Sequence, residues 1–137
     1  MENTYSMKQA CLKTGLTYDS LKFYCNQGLI PNVKRDKNNY RIFDDKDISW
    51  INSLLCLKNC GMSINEMKIY LKLCLEGEKT IPQRKNILNN KLIELEKKCN
   101  EIQNSINYIN SKQKFYDDIL SGKTKYFSYL IPTENNK

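Results

Sequence analysis

Apolar residues near the start of the chain recur at helical spacing in two short runs. Each run places three side chains at positions i, i+3 and i+4: Met7, Ala10 and Cys11, then Leu21, Tyr24 and Cys25. Ser6 and Thr17 precede the runs as N-cap residues, Gly15 separates them, and Gly28 follows the second. Two short helices joined across a glycine turn predict a helix-turn-helix.

The segment after Pro31 changes to two short extended runs, residues 33–37 and 40–43, on either side of Asn38 and Asn39. Asparagine tolerates the left-handed backbone that a tight hairpin turn requires. The pattern therefore predicts a two-stranded wing directly after the helix-turn-helix.

Helical periodicity returns after the wing. Acidic residues at positions 44, 45 and 47 suit a helix N-terminus, and an apolar face follows until Gly61. Ser63 and Glu66 then match the capping-box pattern, which predicts a fourth helix that ends at Gly77.

From about Thr80 onward, apolar residues alternate steps of four and three, as in a heptad seam. The seam comprises Leu88, Leu92, Leu95, Cys99, Ile102, Ile106, Ile109, Gln113, Tyr116 and Leu120. A long helix with a narrow apolar stripe cannot bury that stripe alone, and a second copy of the chain is the simplest partner. We therefore expect a homodimer.

These elements predict a mainly α-helical fold with three parts. Residues 1–76 form a winged helix-turn-helix domain of four helices and a two-stranded wing, residues 77–122 form a dimerisation coiled-coil helix, and residues 123–137 form a C-terminal tail. The length of 137 residues fits one compact domain with an added oligomerisation element.

Net charge favours an anionic partner. The chain carries 22 Lys and Arg against 15 Asp and Glu, a net charge of +7. Residues 22–41 hold five of the cations and one acid, so more than half of the net charge lies around the wing. This distribution is typical of a surface that contacts phosphates.

Several other classes have little support. No stretch reaches the roughly 20 apolar residues of a membrane helix, and the first residues do not resemble a signal peptide, so we expect a cytoplasmic protein without a membrane partner. The chain has six cysteines and no histidine. Without a nucleotide-binding loop, paired catalytic carboxylates or histidine, we expect no enzyme, no cofactor and no metal site.

Four motifs together resemble the MerR family of bacterial transcription regulators. They are LTYDSLKFY at residues 16–24, GLIP at 28–31, NYR at 39–41 and GMSI at 61–64. The resemblance implies a homodimer with an antiparallel coiled coil, bound to a pseudo-palindromic operator within a promoter. It also implies that bending and twisting of this DNA lets RNA polymerase engage the promoter.

The candidate DNA-contacting residues combine this resemblance with the charge pattern. They are Thr17, Tyr18, Ser20, Lys22, Phe23, Tyr24, Lys34, Arg35, Asn39, Tyr40, Arg41 and Lys58. Tyr24 has a second interpretation as a core aromatic. The sequence departs from the family pattern at Lys22, usually arginine, at Cys25, often glutamate, and at Asn39, often glycine; Lys22 thus replaces a bidentate contact with a point charge.

Further motifs resemble the thiol-based, aldehyde-responsive members of this family, which implies a stress-response role. These are DISWI at 47–51, CLKN at 56–59, EGEKT at 76–80 and RKNIL at 84–88. The resemblance places the reactive thiol at Cys56, and helical geometry puts Cys56 on the side away from the apolar face. A packing role for Cys56 remains an equal alternative.

Other signals and functions stay open or lose support. The cysteines that metal-sensing members carry before and after the long helix are missing from residues 77–80 and 112–125. Cys11, Cys25 and Cys74 lie on apolar stripes, and Cys99 lies on the seam, so packing is expected for them. Two alternatives remain: a regulator of this type that binds a small effector without thiol chemistry, and a coiled-coil adaptor that binds another protein.

Overall fold

The computed structural model describes residues 3–133. Its helices are α1 (Met7–Thr14), α2 (Tyr18–Asn26), α3 (Asp45–Asn59), α4 (Ile64–Glu76) and α5 (Ile81–Leu120), with a 3-10 turn at Glu78–Thr80 before α5. The strands are β1 (Thr4–Tyr5), β2 (Lys34–Arg35) and β3 (Arg41–Asp44). The mainly helical fold with a long C-terminal helix is as predicted.

The predicted two-stranded wing is in fact part of a three-stranded antiparallel sheet in the order β1-β3-β2. The hairpin pairs Lys34 with Ile42, and β1 adds Tyr5 opposite Phe43 on the other edge of β3. The Tyr5 hydroxyl also donates a 2.6 Å hydrogen bond to Asp45. The sequence prediction omitted β1 because a strand of two residues has no periodicity to detect.

Capping boxes define where three of the helices begin. Ser6 and Gln9 form a capping box on α1, Asp44 and Asp47 form another on α3, and the predicted box before α4 is confirmed. Each box pairs two backbone N–H groups that a helix N-terminus would otherwise leave without partners.

The chain divides after Ile93 into two compact units. The core of the first unit comprises Ala10, Leu21, Tyr24, Leu29, Ile30, Phe43, Ile51, Leu54, Leu57, Met62 and Met67. Trp50 extends this core by donating an indole hydrogen bond of 2.7 Å to the Leu29 carbonyl. The core therefore packs all four helices from α1 to α4 against the central strand β3.

A buried polar cluster closes the C-terminal end of α4. The Thr80 hydroxyl, in a residue only 2% exposed, donates to the Leu73 carbonyl and also lies 2.9 Å from the Gly77 carbonyl. Arg84 donates from Nε to the Thr80 hydroxyl at 3.1 Å and from Nη2 to the Gly77 carbonyl at 2.8 Å. These bonds occupy carbonyls that the end of α4 cannot pair within the helix.

The second unit contains the rest of α5 and the described part of the C-terminal segment. No residue of α5 is buried, and on the predicted seam Ile102 and Ile109 are each more than half exposed. Within residues 3–133, no helix combines the length and apolar character needed to cross a membrane.

Candidate nucleic-acid interface

Helix α2 presents its N-terminal turn to solvent. Thr17 caps the helix by accepting a hydrogen bond from the Ser20 N–H at 3.2 Å, and its hydroxyl donates to the Ser20 hydroxyl at 2.9 Å. Tyr18, Lys22 and Phe23 are exposed along the same helix. The free N–H groups and positive dipole end of a helix N-terminus favour contact with phosphate.

The hairpin between β2 and β3 is organised by its single acid. Asp36 Oδ1 accepts hydrogen bonds of 2.9 Å from the N–H groups of Asn38 and Tyr40. Asn39 takes the left-handed backbone, with φ of 65°, and its carbonyl accepts a 2.9 Å bond from Arg35. The prediction of left-handed backbone in this turn is thus confirmed at Asn39. Asp36 Oδ1 accepts both of its hydrogen bonds from the turn itself.

One hydrogen bond connects the hairpin to α2. The Arg41 Nη2 donates to Asn26 Oδ1 at 2.9 Å, which holds a half-buried guanidinium beside the last turn of α2. Tyr18 and Tyr40 line a concavity of about 520 Å³ together with Arg41. The structure therefore brings three predicted site residues from α2 and the wing to one place.

A second, smaller concavity of about 360 Å³ lies between α2 and α3. Among its lining residues are Ser20, Phe23, Tyr24 and Lys58. Lys58 and Phe23 are exposed there, whereas Tyr24 is 4% exposed and belongs to the core. The burial of Tyr24 favours its packing interpretation over a phosphate contact.

The remaining predicted site residues are exposed and line neither of these two concavities. They are Thr17, Lys22, Lys34, Arg35 and Asn39. They lie at the start of α2, within α2 and in the hairpin. We call the predicted set without the buried Tyr24 the basic face.

Cys25 lies behind the basic face. Burial raises the pKa of its thiol, and the positive charges of Arg41 and Arg35 oppose this rise. Because a thiol with a raised pKa is neutral at pH 7, Cys25 removes no positive charge from the surface. The glutamate that the family often has at this position would do so.

Two residues that shape the basic face were absent from the sequence prediction. Asn26 holds Arg41 from 15 residues away, a distance that no local pattern reveals. Asp36 could have been found, because aspartate at the first position of a turn commonly accepts bonds from the backbone two residues on.

Cys56 lies on α3, two residues before Lys58 of the basic face. Its side chain is exposed, as are Ser49 and Ser53 on the same side, while Ile51 and Leu54 are buried on the other. The predicted accessibility of Cys56 is therefore confirmed. Across residues 3–133, no three or more cysteine or acidic side chains are grouped so that they could hold a metal ion.

Comparison with known proteins identifies the family. The profile of the MerR HTH family of regulatory proteins matches residues 5–74, which cover β1 to α4. An uncharacterised HTH-type transcriptional regulator from Haemophilus influenzae is 34% identical over 113 residues, which are 82% of this chain and 84% of that protein. The chain belongs to the MerR family of DNA-binding transcription regulators.

Other MerR-type proteins extend this comparison. The HTH-type transcriptional regulator AdhR of Bacillus subtilis is 41% identical over 83 residues, 61% of this chain and 59% of AdhR. The crystal structure of HiNmlR, a MerR family regulator lacking the sensor domain and bound to promoter DNA, matches with a TM-score of 0.74 and 33% identity. That match covers 87% of this chain and 94% of HiNmlR.

A second solved structure has a similar fold. A MerR family regulator from Listeria monocytogenes matches with a TM-score of 0.77 at 30% identity, over 87% of this chain and 90% of that protein. The fold is therefore that of MerR-family structures, with a long helix after the DNA-binding elements.

Proposed function

We propose that this MerR-type regulator binds a pseudo-palindromic promoter operator as a homodimer and controls transcription by distorting the DNA for RNA polymerase. The observation that carries the proposal is the hydrogen bond from Arg41 to Asn26, which fixes the wing against α2. A recognition helix and a cationic wing held together can grip the major groove and an adjacent phosphate backbone at once.

The charge of the basic face supports the same function. Lys22, Lys34, Arg35 and Lys58 are exposed, and the one acid between the wing cations is engaged with its own turn. Binding energy from phosphates is available to deform DNA, because contacts made only with bent DNA offset the deformation free energy. The crystal structure of HiNmlR bound to promoter DNA supports the DNA-binding part of the proposal.

The dimer is supported by the exposed apolar stripe of α5. Ile102, Ile106 and Ile109 are 61%, 45% and 56% exposed, and they are spaced by four and three residues. Such a stripe is stabilised when a second helix covers it. An antiparallel pair of α5 helices would carry two basic faces at a fixed separation, as a palindromic site requires.

The DNA-binding proposal can be tested with duplexes from the region that flanks the gene. For the parent, we expect the logarithm of affinity to fall steeply and linearly with the logarithm of salt concentration. Arg41→Ala removes one cation from each protomer, so the slope of that line should become less steep by about 1.8 for the dimer. Lys97→Ala, at an exposed position of α5, serves as the matched control and should leave the slope unchanged.

The proposal fails if no duplex from this region binds more tightly than unrelated DNA. If the protein proves stably monomeric, the proposed homodimer and its palindromic operator are contradicted. Promoter distortion would be contradicted if bound DNA showed no change in bend by gel mobility of permuted fragments.

We further propose that Cys56 senses an electrophile. Its thiol is exposed on α3, and the motifs around it resemble those of the thiol-based, aldehyde-responsive subgroup. In the reaction with an aldehyde, the sulfur forms a bond to the carbonyl carbon, the carbon–oxygen π bond breaks, and the oxygen takes the thiol proton. The thiohemiacetal would add bulk to the surface of α3 beside the DNA-binding elements.

A transcription assay on the same promoter separates this second proposal from the first. We expect formaldehyde or methylglyoxal to change the transcript yield of the parent and of the control Cys60→Ser, whose half-buried thiol lies directly after α3 and outside the seam. Cys56→Ser should bind the operator as the parent does but lose the response. A full response in Cys56→Ser would overturn thiol sensing and leave DNA binding intact.

A further inference from the structure

The second unit contains an aromatic concavity that DNA binding does not use. It has a volume of about 540 Å³ and is lined by residues of α5 and of the segment that follows it. Its aromatic lining residues are Tyr108, Phe115, Tyr116, Tyr126, Phe127 and Tyr129. This volume lies within the range of about 300–1,000 Å³ found for small-molecule sites.

The concavity lies mostly on a different face of α5 from the predicted seam. Its lining positions 108, 112 and 115 each precede a seam position, 109, 113 and 116, by one residue. One residue corresponds to a rotation of about 100° around a helix. A partner helix on the seam would therefore leave most of this face open, with Tyr116 at the border.

The rings are arranged for flat apolar molecules. Phe127 and Tyr129 meet edge to face with centroids 4.6 Å apart, and Phe115 and Tyr116 are tilted neighbours at 5.8 Å. Tyr129 is nevertheless 92% exposed, so most of its surface is available to a ligand. Offset stacking and edge contacts favour aromatic ligands over aliphatic ones of the same size.

Charge selects among aromatic ligands. Lys112 is the one cation that lines the concavity, and none of the described residues that line it is acidic. Its ammonium lies 6.0 Å from the Tyr108 ring centroid and 5.9 Å from that of Phe115, so it is held over the rings. An anionic ligand would pair with this ammonium, whereas a cationic ligand would be repelled by it.

We propose that this concavity binds a small aromatic carboxylate, with the rings holding its apolar body and Lys112 its carboxylate. This site goes beyond the proposed DNA binding and thiol chemistry, and it needs neither. It would give this regulator an effector site built from α5 and the segment that follows it.

Calorimetric titration of the full chain, without DNA, tests the site. The probes are 2-naphthoate, the neutral 2-naphthalenemethanol and the cationic 2-naphthylmethylammonium. We expect 2-naphthoate to bind about two- to fivefold more tightly than the alcohol, as an exposed ion pair allows, and the ammonium probe to bind most weakly.

Variants locate the binding. Lys112→Met keeps the length of the side chain and should remove the preference for naphthoate over the alcohol. Tyr129→Ala should weaken the binding of both naphthoate and the alcohol. Lys97→Met, outside the concavity on the same helix, should behave as the parent does.

Two results would overturn the proposal: no saturable binding of naphthoate at millimolar concentration, or a preference for naphthoate that survives in Lys112→Met. Either result would leave the DNA-binding proposal untouched, since no duplex is present.

Discussion

We expect removal of the Thr80 hydroxyl to lower the free energy of unfolding of the first unit. Thr80→Val replaces it with a methyl group of nearly equal volume, so the change removes hydrogen bonds without opening a cavity. The Gly77 N–H bonds to the Cys74 carbonyl, and the Leu73 carbonyl instead accepts the Thr80 hydroxyl. Valine would leave that carbonyl, which belongs to a half-buried residue packed beside buried Thr80, without this donor.

The size of the destabilisation follows from the hydrogen bonds that the valine substitution removes. An unpaired buried carbonyl costs about 1–3 kcal/mol. The Gly77 carbonyl keeps its bond from Arg84, and Arg84 is half-buried, so water can replace the bond to Nε. We therefore expect Thr80→Val to lower the free energy of unfolding by about 1.5–3 kcal/mol.

Thr80→Ser provides the matched control, because it keeps the hydroxyl and removes one methyl group. It should lower the free energy of unfolding by about 1 kcal/mol or less. Urea denaturation followed by the fluorescence of Trp50 measures both variants, at one protomer concentration because dimers gain stability with concentration. If valine and serine prove equally destabilising, the hydrogen bonds are not what holds the end of α4.

Three more perturbations test other parts of the structure. The pKa of Glu66 lies below its ordinary 4.5, first because Lys91 donates to it at 2.8 Å, so its carboxylate stabilises the fold above pH 4.5. The difference in urea midpoint between the parent and Glu66→Gln should therefore shrink as the pH falls through that lowered pKa, and a constant difference would contradict the ion pair. Ile106→Asp should weaken self-association by at least about 100-fold in sedimentation experiments, since the seam would bury a charge; an unchanged dimer would place the interface elsewhere. Asn26→Ala should weaken operator binding about two- to tenfold with an unchanged salt slope, because Arg41 keeps its charge but loses its acceptor; a slope that changed as in Arg41→Ala would show that Asn26 does more than position it.

Local patterns predicted the elements that are specified by neighbouring residues. Ser63 and Glu66 lie three positions apart and interact directly, so their capping box was predictable. The same holds for Asn39, because the three-residue loop between Asp36 and Tyr40 needs one residue with left-handed backbone regardless of the rest of the fold.

Features that depend on distant partners were not predictable. Strand β1 exists because Thr4 and Tyr5 find an open edge of β3 about 40 residues away. Arg41 was predicted as a site residue from its charge, yet its acceptor, Asn26, belongs to another element. Side chains whose role depends on tertiary contact carry no periodic or turn signal in the sequence.

Asp36 has a consequence for how quickly this surface can evolve. Because the carboxylate fixes the loop together with the backbone bonds between Asp36, Asn39 and Tyr40, the hairpin is ordered before any ligand arrives and loses little conformational freedom when one does. The exposed lysines Lys34 and Lys37 can therefore be exchanged one at a time, each altering preference for a target, whereas replacing Arg35 would also remove its bond to the Asn39 carbonyl of the turn.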